Sequence, residues 1–221
     1  MFDSPFNLML LFNYSIYILK IGVLHMLKDL VLKNRSYRRF DESHTISHEE
    51  LLKIASLGRI VPSTANSQAI KFMLINSPQQ NETVFNTLGW AGKLKDWDGP
   101  KKGERPTAYI ILLCDLSLAK NKPIDDGIIA QTMLLGAVEM GYGGCMLGNI
   151  KRTELAQSLE IDPTLYQIDL VIALGKPIEK VVLENVTSAH DIDYYRDENE
   201  VHHVPKRSLD ELIIYSSPIT N

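Results

Sequence analysis

The chain has 221 residues, 45% of them hydrophobic and 23% charged, which is the balance of a folded globular protein. Its formal net charge of -4 and pI near 5.9 exclude a general attraction to nucleic acid, so any cluster of arginines needs a local explanation. The length supports one sizeable core, and no linker or repeat divides it, so residues 26–221 read as a single domain.

The segment 1–25 stands apart. Phe6 to Leu24 is apolar and aromatic, but Asn7, Asn13, Ser15 and Lys20 interrupt it, whereas a spanning helix needs about 20 mostly apolar residues. It also begins with Asp3 and lacks the positive start and small-residue cleavage site of a signal peptide. Met26 opens an ordinary domain start, so residues 1–25 are expected to be an extension outside the fold, with a membrane-surface anchor as the other reading.

Residues 27–34 read as a short helix. Ser47-His-Glu-Glu50 is a capping box flanked by Ile46 and Leu51 at staple positions, predicting a helix that runs to Leu57 and is ended by Gly58. Residues 59–68 form a polar loop, and 69–76 alternates as a strand. Ser77-Pro78 is an N-cap with proline at the first helical position. Residues 89–106 lack periodicity and read as a long surface loop. Tyr109 to Cys114 is a buried strand. Asp125 to Met140 is a helix apolar on most sides, with Gly141 as its C-cap; a helix this apolar is usually buried, and it is too apolar for a monomer's surface, which predicts an obligate homodimer. A strand follows over 143–147, a helix from Thr153, a strand over 168–174, and a second capping box at Ser208 to Glu211. Helices and about four core strands mix along the chain. Cys114 and Cys145 form no CxxC pair and lie in apolar runs, which predicts buried thiols in a reducing, cytoplasmic setting.

Standard chemical signatures are missing: there is no GxxxxGK[ST], HExxH or GxSxG. Gly141-Tyr-Gly143-Gly144 follows a helix and precedes a strand, opposite to a dinucleotide fingerprint. The histidines show no ligand spacing, so no metal is expected, and His202-His203 reads as a surface pair. Two constellations remain. Asn34-Arg35-Ser36-Tyr37-Arg38-Arg39-Phe40 alternates forked and compact donors that can converge on one phosphate, or else is a solvated basic turn. Pro62-Ser63-Thr64-Ala65-Asn66-Ser67-Gln68 is a polar loop between a capped helix and a strand, or else a plain connection.

Taken in order, these segments resemble the nitroreductase family. Asn34 to Arg38 matches its RRSxR-like stretch, Pro62 to Ala69 its PSxxNxQP-like loop, Gly141 to Gly148 its GxGxxxxG strand, and Lys206-Arg207 its closing basic pair. The resemblance implies an α+β fold with three α/β/α layers, a mixed central sheet and an intertwined homodimer with FMN at the interface. It further implies that Arg35, Ser36 and Arg38 hold the ribityl phosphate and the pyrimidine edge of the flavin. Lys206 and Arg207 would return to the phosphate. Pro62, Ser63, Thr64 and Asn66 would come from the partner subunit, and Met146, Leu147, Gly148 and Asn149 would line the ring. Two departures stand out: Asn34 replaces the first Arg, and Ala69-Ile70 replaces a Pro-Trp. Trp90, Lys93 and Trp97 are candidates for the wall of a substrate pocket, although both tryptophans could simply pack the loop. The implied activity passes hydride from NAD(P)H through FMN to a small electron-poor acceptor, a nitroaromatic or quinone; the alternative is an FMN-binding store or sensor. The chemistry would belong to the flavin, so a missing acid/base dyad does not argue against an enzyme.

Overall fold

A computed structural model describes residues 26–119, 124–186, 191–215 and 217. The expectation for residues 1–25 lies outside the described residues.

The chain enters through a helix over 26–33 (α1). The basic stretch follows, then β1 (Phe40–Asp41). Helix α2 (His48–Arg59) begins where the capping box predicts: Ser47 accepts from the Glu50 amide while Glu50 reaches back. It runs past Gly58, which is buried inside the helix rather than ending it. The reason is packing: a Cβ at Gly58 would strike the Met133 side chain, so the glycine lets α2 approach α4 (Asp125–Glu139) closely. Strand β2 (Ile70–Ile75) and helix α3 (Pro78–Phe85), capped by Ser77, follow their sequence signals. So do β3 (Ala108–Asp115), β4 (Gly143–Leu147), α5 (Arg152–Ser158) and β5 (Tyr166–Pro177).

Beyond β5 lie elements that the sequence did not announce: β6 (Val181–Asn185), β7 (Tyr195–Arg196) and β8 (His202–Lys206), before α6 (Leu209–Leu212). They form a small sheet in the order β6-β8-β7. The larger sheet has five strands, in the order β1-β5-β3-β2 with β4 also on β5. Its strand pairs all run antiparallel. The mixed character expected of it resides instead in a parallel bridge, Ser36 to Gly144, and in the parallel β6–β8 pair of the smaller sheet.

Alternation in β3 and β5 builds two cores, one on each face. Ile110, Leu112, Ile172 and Leu174 pack under α2 and α4. Tyr109, Ile111, Leu113, Val171 and Ala173 pack with Val84 of α3 and Leu155 of α5. Helices therefore cover both faces of the sheet, giving three layers. Helix α4 buries Ile129, Ala130, Met133, Leu134 and Ala137 within its own chain, so its apolarity is used in this core and does not call for a second copy. Among the described residues no helix is long and apolar enough to cross a membrane.

Candidate functional site

The basic stretch runs from the end of α1 along the start of β4. The Tyr37 amide donates to the Gly144 carbonyl at 3.0 Å, beside the Ser36–Gly144 bridge. This approach needs the glycines: a Cβ on Gly143 would lie 2.6 Å from the Tyr37 ring. Gly141 serves the turn before it, at φ +82, where an L side chain is strained. The glycine-rich strand is thus shaped to admit the arginine stretch.

From the other side, β8 brings His202, Val204 and Lys206. Together with Asn34, Arg35, Ser36 and Arg38 they line a cavity of about 320 Å³. Among the described residues Arg35, Arg38 and Lys206 form no ion pair, whereas neighbouring Arg39 is fully engaged by Glu104 and Glu200. Arg35 donates to the Val31 carbonyl, and Arg38 to the Ser36 carbonyl with a longer contact to His202 Nε2. Arg35 Nε, Arg38 Nε and His202 Nδ1 are buried without a partner.

Behind the cavity lies Glu179, fully buried. Its carboxylate accepts from the Arg38 amide at 2.9 Å and from Arg196 Nη2 at 2.6 Å. His202 is buried rather than a surface residue, because β8 turns it inward against Tyr194, at 5.2 Å between ring centroids, with Arg38 Nη1 3.5 Å from its Nε2. Burial lowers its pKa to about 4; Glu179 opposes this, and Arg38, Arg196 and His203 add to it. His202 is neutral at pH 7. His203 does lie nearer solvent, between Glu184 and Asp197, whose hydrogen bonds raise its pKa. Burial also pushes the Cys145 thiol up, so it is an inert neighbour of Ser36.

The other sequence candidates fall elsewhere. Arg207 does not line the cavity; it pairs with Glu211 one turn on, in the helix that Ser208 caps. Leu147 is buried under the sheet, while Gly148 and Asn149 are exposed at the end of β4. There Asn149 lies across Gly89, accepting from its amide at 2.9 Å. The Pro62–Gln68 loop lines a different cavity, through Ser63 and Gln68. It is held firmly: Thr64 donates from its amide at 3.0 Å and from its hydroxyl at 2.7 Å to buried Asp125. Ala65, Asn66 and Gln68 all sit at positive φ, and Pro62, Thr64 and Asn66 are exposed. A strained but anchored loop that points its side chains outward is common where a loop serves a ligand or partner.

The expected pocket wall is corrected in part. Trp90 is buried in the core, against Phe85 at 5.6 Å, with Gly99 left side-chain-free to admit it. Lys93 is exposed and pairs with Asp193 at 3.0 Å. Trp97 lies under the Arg196 guanidinium at 4.3 Å, and the loop reaches the cavity's Tyr194 through the Lys93 amide, which donates to the Tyr194 hydroxyl at 3.3 Å. Sequence reasoning missed Glu179, Tyr194 and Arg196, because nothing local marks a lone acid after a strand or a short hairpin of mixed polarity.

An α+β scaffold thus carries a donor-rich cavity beside a glycine-rich strand, an arrangement with the chemistry to take an anion. A phosphate supplies only acceptors at neutral pH, which is what the unpaired guanidinium nitrogens lack, so the cavity fits the phosphate end of FMN. The nitroreductase family model matches residues 31–102 and 107–176. The chain belongs to the nitroreductase family. It is 24% identical over 177 residues to Protein DrgA of Synechocystis sp., covering 68% of this chain and 84% of that protein. It is 22% identical over 185 residues to "Putative NAD(P)H nitroreductase YdgI" of Bacillus subtilis, covering 69% and 88%. Among solved structures it is similar to a "putative nitroreductase in complex with FMN" from Desulfovibrio desulfuricans, with a TM-score of 0.59 and 23% identity over 87% of this chain and 96% of that one.

Proposed function

We propose that this protein is an FMN-dependent oxidoreductase that passes hydride from NAD(P)H to a small electron-poor acceptor of the nitroaromatic or quinone type. The observation that carries the reading is the cavity lined by Arg35, Ser36, Arg38 and Lys206, in which Arg35 Nε and Arg38 Nε have no partner among the described residues. When bound, the flavin supplies the hydride chemistry, and the chain's work is to hold, orient and shield it. Arg35, Arg38 and Lys206 grip the phosphate by charge-assisted hydrogen bonds. Glu179 fixes the Arg38 main chain so that its side chain can face the cavity. Neutral His202 adds a polar nitrogen without a competing charge. Gly148 and Asn149, exposed at the end of β4, are the residues offered to the ring.

The reading includes a homodimer with shared sites. Its support is the Pro62–Gln68 loop, rigidly anchored yet outward-facing and on a cavity separate from the basic one. Exposed apolar side chains at both ends of the described chain add to it, with Leu27, Val31 and Leu32 on α1 and Leu209, Leu212 and Ile214 around α6. Two buried cysteines without a disulfide suit a cytoplasmic, reducing setting.

The test is the purified protein itself. It should be yellow, release FMN and not FAD on denaturation, and bleach on anaerobic addition of NADH or NADPH. A protein that stays colourless and takes up no added FMN would refute the reading. A yellow protein that no reduced nicotinamide bleaches would make it a flavin store or sensor.

A further inference from the structure

A second cavity, of about 610 Å³, shares no lining residue with the basic one. It lies among the loop before α2, helix α3 and the start of β3, and its size is that of a small-molecule site. Three of its lining residues carry buried polar atoms that have no hydrogen-bond partner among the described residues: the Tyr109 hydroxyl, Arg105 Nε and Asn81 Oδ1. Buried polar groups left unpaired are costly, so three lining one cavity ask for an occupant.

Each is fixed in place. Tyr109 is fully buried on β3. Arg105 lies over the Phe85 ring at 4.1 Å and reaches Glu82 at 4.0 Å, at the exposed end of its side chain. The Asn81 amide nitrogen donates to the Thr107 carbonyl at 2.8 Å, which leaves its oxygen as the acceptor. One carboxylate oxygen of Glu42 accepts from the amides of Gly103 and Arg105, and the charges lining the cavity are Glu42 and Glu82 against Arg105 and Lys102. Burial holds the Tyr109 phenol above its ordinary range, with Arg105 opposing and Glu42 adding, so the hydroxyl stays a neutral donor.

We propose that this cavity is a second small-molecule site, taking a small carboxylic acid that also carries a hydroxyl or amino donor. The carboxylate accepts from Arg105 Nε and the Tyr109 hydroxyl, the stronger kind of hydrogen bond because one partner is charged. The ligand's own N–H or O–H meets Asn81 Oδ1. Ile46, Pro78 and Pro106 supply apolar wall. The site does not depend on the flavin reading.

The test is calorimetric titration of the purified protein, with whatever cofactor it carries, using 2-, 3- and 4-hydroxybenzoate and 4-aminobenzoate. These acids vary the separation between carboxylate and donor; benzoate and benzyl alcohol each lack one of the two groups. At least one bifunctional acid should bind saturably, and more tightly than either control. Tyr109→Phe and Arg105→Gln should each weaken it by tenfold or more. Tyr109→Phe removes one unpaired oxygen and keeps the shape, so its melting temperature should not fall, and it decides alone if Arg105→Gln does not fold. No binding at millimolar acid, or binding that survives both substitutions, makes this a solvent-filled cavity and overturns the proposal. A colourless protein that binds the acids would defeat only the flavin reading; a yellow, reducible one that ignores them would defeat only this site.

Discussion

Glu179 holds Arg38 by its main chain, accepting from the amide at 2.9 Å, and leaves the guanidinium to the cavity. The same carboxylate also neutralises Arg196, itself nearly buried. Glu179→Ala should therefore destabilise the fold by about 3–5 kcal/mol, because Arg196 would be left as an uncompensated buried charge. FMN affinity should fall as well, since Arg38 loses its anchor. Thermal melts and flavin titration check this; unchanged values for both would mean that Glu179 does not position Arg38.

The cavity residues should rank. Arg35→Ala and Lys206→Ala each remove a cation that has no ion-pair partner among the described residues, and should weaken FMN binding by about 1.5–3 kcal/mol. Arg207→Ala should cost less, since Arg207 lies outside the cavity and pairs with Glu211. Equal losses in all three variants would mean that Arg207 also reaches the phosphate.

Asp125 is buried and receives both the amide and the hydroxyl of Thr64. Asp125→Ala should leave the loop unanchored at a cost of about 1–3 kcal/mol and speed amide exchange across residues 62–68. Exchange mass spectrometry reads the outcome directly. Protection equal to wild type would show that the loop holds itself.

Two groups predict opposite ends of the acid range. His202 is depressed to about 4 in the fold, from an ordinary 6.5. Between those values the unfolded chain binds a proton that the fold refuses, so stability falls as pH drops from 6.5 toward 4. His202→Gln should flatten that slope. Glu50 is depressed from 4.5 to about 2, chiefly by the Ser47 hydroxyl, then by the Tyr142 hydroxyl and the Ser47 amide. Its contribution is full above 4.5 and is lost as pH falls through 2, so the stability gap between wild type and Glu50→Gln should close over that window. Melting curves from pH 8 to pH 2 test both; slopes identical to wild type would dismiss them.

The two tryptophans should separate. Trp90→Ala empties a core site and should cost about 3–5 kcal/mol, with flavin content falling in step with the fold. Trp97→Ala removes the platform under Arg196 and should leave the fold largely intact. Only Trp97→Ala is then expected to reorder kcat/KM across quinones and nitroaromatics. An unchanged order would make the 89–106 loop structural throughout.

Local chemistry made much of this protein legible in its sequence. Ser47 with Glu50, and Ser77 with Pro78, start helices through bonds that span three residues or fewer, so no tertiary context is needed to see them. The unbroken apolar run of β3 likewise marks it in the chain as a buried strand, although which residues serve which of the two cores is decided by the fold. The stretch Arg35, Ser36, Arg38 could be seen as a phosphate grip because its donor types are unusual together. Tertiary structure decided the rest. Gly58 reads as a helix end, but Met133, far along the chain, makes it a packing contact inside α2. His202 reads as surface, but the β6-β8-β7 sheet turns it inward. Glu179 carries no local signal at all; it matters because β5 ends beside Arg38 and Arg196, and a buried carboxylate is stable only where such donors meet it. Short-range hydrogen bonds belong to the sequence, whereas the cost of burying a charge or a side chain depends on neighbours that only the fold brings.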